Sequence, residues 1–277
     1  MSPLPENPEP LPAPTTDAHT HLGTTQRKSG LTAADALARA AAVGVRRVVD
    51  VGYDPESSTA ALALAERHPE VIATVAIHPH DAVELGDGLD EALRSVEALL
   101  GTSNRLRGVG ETGLDYYWVK DPAAQARQRT AFAAQIGWAK AHDLALVIHD
   151  RDAHDDLAAV LDAEGWPDRV QLHCFSGDAA FARRCLDAGA YLSFPGTVTF
   201  NANEDLREAL RLAPADRVLV ETDAPYLTPV PVRGRPNASY LLPHTVRFMA
   251  EVRGEDLAGF CAQLDANATA LFGDWGA

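Results

Sequence analysis

The sequence predicts a single α/β chain folded as a (β/α)₈ barrel, and three observations carry that prediction. From Thr15 onward, short β-branched runs alternate with longer Ala- and Leu-rich segments at helical spacing, the pattern of helices packed on a parallel sheet. Eight such units fit within 277 residues that are 46% hydrophobic, the size of one barrel domain. No Gly-x-Gly-x-x-Gly turn follows the first strand, which argues against an open dinucleotide-binding sheet.

Taken in order, residues 1–14 contain six prolines and little that can pack, so a disordered tail is expected there, ahead of one domain over 15–277. Strands are expected at 15–21, 45–51, 71–77, 106–111, 144–149, 169–174, 190–194 and 217–222. Helices are expected between them at 31–43, 56–68, 88–100, 122–142, 153–164, 178–188, 203–212 and 240–252. An extra C-terminal helix near 255–271 is expected to cover one end of the barrel. Thr32 before Ala33-Ala34-Asp35, and Asp121 before Pro122, supply helix-start signals.

Composition narrows the function. A formal charge of −15 disfavours coating long polyanions, although bound divalent ions and a few arginines can still capture one phosphate at a time. No run approaches the roughly 18 apolar residues of a membrane span, and the N-terminus lacks a basic start followed by an apolar run. Cys174, Cys185 and Cys261 form neither a disulfide framework nor a zinc ribbon. A soluble cytoplasmic protein, without membrane partners and monomeric, is the expectation.

Barrel enzymes carry their reactive groups at the C-terminal ends of their strands. Here those ends hold His19 and His21, then His78 and His80, Glu111, His149, His173 and Asp223. Six of the ten histidines lie at or just past a predicted strand end, whereas structural histidines would scatter. His19 and His21 are two residues apart on a strand and so share a face. Four histidines, Glu111 and Asp223 suffice for two divalent ions, with Glu111 free to bridge them.

The segments Asp17-Ala18-His19-Thr20-His21-Leu22, Gly108 to Asp115 with Gly110-Glu111-Thr112-Gly113, Leu172-His173-Cys174-Phe175-Ser176-Gly177, and Glu221-Thr222-Asp223-Ala224-Pro225-Tyr226-Leu227 together resemble the TatD family of metal-dependent deoxyribonucleases. The resemblance runs from about Thr15 to the C-terminus. It implies an amidohydrolase-type barrel with His19, His21, Glu111, His149, His173 and Asp223 as metal ligands. It also implies hydrolysis of DNA phosphodiesters from 3′ ends; an acidic protein with one small cationic site suits ends and single strands, and the ligand ring suits water activated at two ions. Family members often have Ile where this chain has Thr112, and Glu where it has Ala238. Many relatives in the wider superfamily bridge their metals through a lysine on strand four, but Lys28, Lys120 and Lys140 all lie outside the predicted strands. A carboxylate bridge favours Mg²⁺ or Mn²⁺, while the histidines also accept Zn²⁺.

Roles follow. Glu111 and Asp223 are the candidate catalytic carboxylates, with Asp223 orienting or deprotonating the water. Glu221 is its rival, though a carboxylate that orients a ligand histidine is the better reading. Asp17 reads as structural and Cys174 as packing against a helix. His78 is a candidate phosphate contact, or a brace for the turn at Pro79. In the long loop after Ala224, Arg233 and Asn237 are candidate substrate contacts, or parts of a stiffened surface loop. DNA ends or single strands are the expected substrate partner. The alternative is a metal-dependent hydrolase of another ester or amide bond, for example aminoacyl-tRNA deacylation.

Overall fold

Eight parallel strands run in sequence order around the computed structural model, which describes residues 3–275. They are β1 (Thr15–Thr20), β2 (Val45–Val51), β3 (Val71–Val75), β4 (Leu106–Asp115), β5 (Ala145–Arg151), β6 (Val170–Leu172), β7 (Tyr191–Phe194) and β8 (Val218–Val220). The sheet turns back on itself just beyond β8, where Asp223 N–H donates to the His19 carbonyl (2.9 Å) and His21 N–H to the Ala224 carbonyl (2.8 Å). The predicted (β/α)₈ barrel is therefore present, and its first and last strands meet at the site-bearing end.

The surrounding helices are α1 (Leu22–Ser29), α2 (Ala33–Ala42), α3 (Pro55–Ala65), α4 (Pro79–Glu84), α5 (Leu89–Glu97), α6 (Pro122–Ala141), α7 (His154–Glu164), α8 (Ala179–Asp187), α9 (Glu204–Leu212), α10 (Leu242–Arg253) and α11 (Leu257–Phe272). Their starts are chemically marked. Thr32, Asp121, Asp178 and Asp256 each accept an N–H three residues on, and Asp54 with Ser57 forms a reciprocal capping box. No helix among the described residues is long and apolar enough to cross a membrane.

The extra C-terminal helix closes the end of the barrel opposite the site. Leu271, Phe272 and Trp275 share one buried cluster with Val49, Ile72, Val147 and Leu219. Asp265 of α11 accepts from Thr16 Oγ1 at 2.6 Å and from Arg47 at 2.5 Å, both near the starts of their strands. This leaves the strand C-termini as the open end.

Three local outcomes differ from expectation. Residues 3–14 hold no helix or strand, as their prolines dictate, yet they lie against the barrel instead of forming a detached tail. Leu11 is buried with its N–H on the Val43 carbonyl (3.0 Å), Arg39 donates to Asn7 Oδ1 (2.6 Å) and the Pro5 carbonyl (2.7 Å), and Tyr240 OH donates to Pro5 as well (3.0 Å). Prolines cannot donate, so the carbonyls of this segment are left for arginines of the helices to take. Met1 and Ser2 of the expected tail lie outside the described residues. The second difference is that α1 and α4 are short helices in the loops over the mouth, where no helix was expected. The third is that β4 continues four residues past its expected end, to Asp115.

Candidate metal centre at the barrel mouth

Strand alternation begins the site. His19 and His21 point the same way from β1 and its exit, and their Nε2 atoms are 3.3 Å apart. The crossing of the chain beyond β8 then delivers Asp223, whose backbone sits in the left-handed region at φ 50. A non-glycine residue held there is a strained position fixed by its surroundings, of the sort that collects at functional sites.

On β4, Gly110 and Gly113 have φ of 154 and 141. A Cβ on Gly110 would sit 2.4 Å from Val147 Cβ, and one on Gly113 would sit 2.0 Å from the His149 carbonyl oxygen. Only glycine lets β4 approach β5 this closely, and the approach sets Glu111 against His149.

Glu111 stands between two donor groups. Its Oε2 lies 3.4 Å from His19 Nε2 and 3.6 Å from His21 Nε2, and Asp223 Oδ1 lies 3.8 and 3.4 Å from the same two nitrogens. Its Oε1 lies 2.8 Å from His149 Nδ1, 3.3 Å from His173 Nε2 and 3.4 Å from His78 Nε2. The structure thus brings together His19, His21, Glu111, His149, His173 and Asp223, six residues drawn from five strand ends. It adds His78, which the sequence placed near substrate.

Several partners fix how these side chains point. The Val51 carbonyl accepts from His21 Nδ1 (2.9 Å), which leaves Nε2 as a lone pair. Asp115 Oδ2 lies 3.1 Å from His149 Nε2, and Glu221 Oε1 lies 2.9 Å from His173 Nδ1. Glu221 is fully buried and also accepts from Ser193 Oγ (2.5 Å) and the Cys174 N–H (2.7 Å), so it orients His173 from behind. Asp17 accepts from both Thr222 N–H (2.9 Å) and Thr222 Oγ1 (2.6 Å), tying β1 to the segment after β8.

Electrostatics mirror this arrangement. Burial, followed by the neighbouring His173, pushes His19 down to about 3, and burial lowers His78 to about 4. For His149 burial acts downward, but Asp115 and Glu111 outweigh it and raise the ring to about 9. Burial acts to raise Glu111, yet the imidazoles of His173 and His78 hold it well below the ordinary carboxylate range.

The donor chemistry fits divalent metal. His21 Nε2, a fixed acceptor, faces the oxygens of Glu111 and Asp223 within a largely buried space. Lone pairs that converge in this way repel one another unless a cation or protons lie between them, and mixed imidazole and carboxylate donors suit divalent ions. His19, His21 and Glu111 form one group whose donor atoms are close enough for one ion, and His78, Glu111 and His149 form another.

One part of this centre is not legible from spacing, and others lie elsewhere than the pattern predicts. Spacing alone assigns Asp115 no role. It shares strand parity with Glu111, and Gly110 with the intervening Gly113 reads as a loop in place of a continuing strand. Cys174 was expected to pack against a helix. Instead β6 stops at Leu172 and Cys174 turns to φ 44, which breaks the alternation and puts it on the cavity wall. Asn237 is buried, donating to the carbonyls of Thr222 (2.9 Å) and Tyr226 (2.5 Å), so it holds the loop in shape. Arg233 is exposed, with its guanidinium 4.1 Å from the Phe200 ring centre. Neither is among the residues that line the mouth. These two thus stand outside the cavity lining, whereas His78 is part of it.

The mouth is an open cavity of about 810 Å³ that reaches from His21 and Asp223 to His149 and Trp118. A barrel with a shared carboxylate between two histidine groups at its C-terminal end defines a metal-dependent hydrolase. Comparison with known proteins gives the same class and narrows it. Residues 16–273 match the family described as TatD related DNase. The chain is 48% identical to a protein of Mycobacterium tuberculosis named uncharacterized metal-dependent hydrolase TatD, over 87% of this chain and 92% of that one. It is 35% identical to the 3′-5′ ssDNA/RNA exonuclease TatD of Salmonella typhimurium, over 86% and 92% of the two chains. Among solved structures, YjjV, a TatD homologue from Escherichia coli, superposes with a TM-score of 0.85 at 28% identity, covering 94% of this chain and 98% of that one. The chain belongs to the TatD-related DNase family.

Proposed function

We propose that this hydrolase cleaves phosphodiester bonds of DNA, acting from the 3′ ends of single strands and using two divalent ions. The observation that carries the reading is the split of Glu111, whose two oxygens face different donor groups. His19, His21, Glu111 and Asp223 would hold one ion; Glu111, His149 and His173, with His78 beside them, would hold the other. Mg²⁺ or Mn²⁺ suits the carboxylates, and Zn²⁺ the histidines. When bound, such ions polarise a phosphoryl oxygen and neutralise charge that develops at phosphorus.

The side chains supply the rest. Asp223 would orient a water and accept its proton, since its Oδ1 faces His19 Nε2 and His21 Nε2 across the space the ion would fill. Glu221 and Asp115 keep His173 and His149 turned toward Glu111. The buried walls around His19, Glu111 and His173 exclude bulk water, so each electrostatic contact with a phosphate acts at reduced screening. The relatives named as exonucleases support the substrate.

The test compares hydrolysis of a single-stranded oligonucleotide by the native protein and by Asp223→Ala, with Mg²⁺, Mn²⁺ or EDTA. Metal-dependent release of mononucleotides from the 3′ end, reduced about 10³-fold by the substitution, is expected. Intact DNA under every metal removes the nuclease reading and leaves a hydrolase of another bond.

A further inference from the structure

Among the described residues, three aromatic side chains are exposed: Tyr117 at 44%, Trp118 at 62% and Tyr226 at 44%. All three belong to the barrel mouth, and Trp118 and Tyr226 line its cavity. Tyr117 and Trp118 meet edge to face at 4.8 Å and Tyr226 meets His21, yet each ring keeps much of its surface in water at the mouth, where a further flat partner can be seated. Each is also accompanied by a cation. Lys28 Nζ lies 4.0 Å from the Tyr226 ring centre, Arg151 Cζ lies 4.1 Å from that of Tyr117 and 5.7 Å from that of Trp118, and Lys120 Nζ lies 5.9 Å from that of Tyr117.

The cations are the more telling half. The chain carries −15 and contains only three lysines, Lys28, Lys120 and Lys140. Two of those three stand beside the mouth aromatics, so cations are set against these rings on the rim of a cavity otherwise lined by carboxylates such as Asp81, Glu84, Asp150 and Asp205. Rings that offer a flat face, next to cations that meet a backbone, form the surface that an unpaired polynucleotide recognises.

Placement is fixed on both sides of the metal centre. Tyr226 N–H donates to the Asp223 carbonyl (2.9 Å), and its ring meets the His21 ring edge to face at 6.4 Å, so it is attached to the first donor group. Trp118 N–H donates to Asp115 Oδ1 (3.0 Å), and Asp115 Oδ2 in turn orients His149, so Trp118 is attached to the second. We infer that Trp118 and Tyr226 are base-stacking platforms, one on each side of the reacting phosphate, that select unpaired nucleotides. A base held in a duplex has both faces covered and cannot use them. This inference deepens the phosphodiesterase reading above and rests on it.

The test uses the metal-loaded protein with two single-stranded oligonucleotides, one intact and one carrying tetrahydrofuran abasic sites near its 3′ end. The native protein is expected to prefer the intact strand in kcat/KM, and Trp118→Ala and Tyr226→Ala are each expected to reduce that preference about tenfold, mainly through KM. Trp118→Phe, which keeps a ring, is expected to retain most of it. A preference that survives both alanine substitutions, or a loss that is equal on intact and abasic strands, overturns the platforms. If no strand is cleaved, the nuclease reading fails and binding decides the platforms separately. Quenching of the Trp118 emission, taken as native minus Trp118→Phe, by an intact single strand but not by a blunt duplex supports them; no quenching by the single strand discards them. Both residues are exposed, so thermal unfolding of the variants is expected to match the native protein and serves as the folding control.

Discussion

The two halves of the centre are built by different means. Around His19, His21 and Asp223, orientation comes from the backbone: the Val51 carbonyl holds His21, and the His19 and Asp223 main chains are bonded to each other. Around His149 and His173, orientation comes from side chains, with Asp115 and Glu221 each bonded to one ring. The difference shows in the carboxylates. Asp115, bonded to imidazoles, lies below its ordinary range although burial acts to raise it. Asp17 and Asp50, which support the first half through hydrogen bonds, are pushed up by burial to about 7 and about 6, the nearby His21 offsetting only part of the rise at Asp50. One half therefore stands on main-chain geometry and the other on paired charge.

Glu111 is the point at which this distinction disappears, because it serves both halves. Glu111→Ala is expected to reduce hydrolysis by about 10³-fold or more, the equivalent of several kcal/mol of charge stabilisation. It is also expected to lower the bound-metal content measured by elemental analysis in both halves together. Retention of a full complement of metal would show that the halves are independent and that Glu111 does not bridge.

Asp115→Ala and Glu221→Ala separate the halves. Each is expected to cost 10- to 100-fold in activity or metal affinity, the usual effect of removing a carboxylate behind a ligand histidine. The loss should fall on one of two ions in a metal titration, with the other unchanged. No single side-chain removal behind His21 can do the same, since its partner is a carbonyl. Equal weakening of both ions by Asp115→Ala would erase the asymmetry.

This asymmetry also explains how much was legible in the sequence. Side chains that alternate on strands announce themselves by spacing, so His19, His21, Glu111, His149 and His173 could be gathered from the barrel pattern alone. The continuation of β4 could not, because Gly110 and Gly113 are loop signals unless one knows that β5 lies within reach of a Cβ. Asp115 was lost with it. Where Asn237 and Arg233 point is not legible for another reason. A loop with four prolines over a barrel mouth looks like a substrate clamp, but where its polar groups go depends on which carbonyls lie nearby, and Asn237 is consumed by Thr222 and Tyr226. The N-terminal prolines announce a segment without helix or strand, but not which arginines take the carbonyls it leaves open.

Asp50 gives the smallest effect and the finest probe of the backbone-held half. Its Oδ1 accepts the Leu22 N–H (2.8 Å), one residue past His21, and the side chain is buried. Burial outweighs that hydrogen bond and raises the group from 3.8 to about 6. A folded-state value above the unfolded one means that the native chain binds this proton more tightly. The associated stability is thus fully present below the unfolded value and is lost as pH rises through about 6. In protein stripped of metal with EDTA, Asp50→Asn keeps an acceptor for Leu22 without burying a charge. It is expected to leave stability near pH 5 little changed and to raise it by about 1–2 kcal/mol at pH 8, read from urea unfolding at both values. A variant that is less stable at pH 8 would mean that the ionised carboxylate has a cationic partner after all, and that the first half is held by charge like the second.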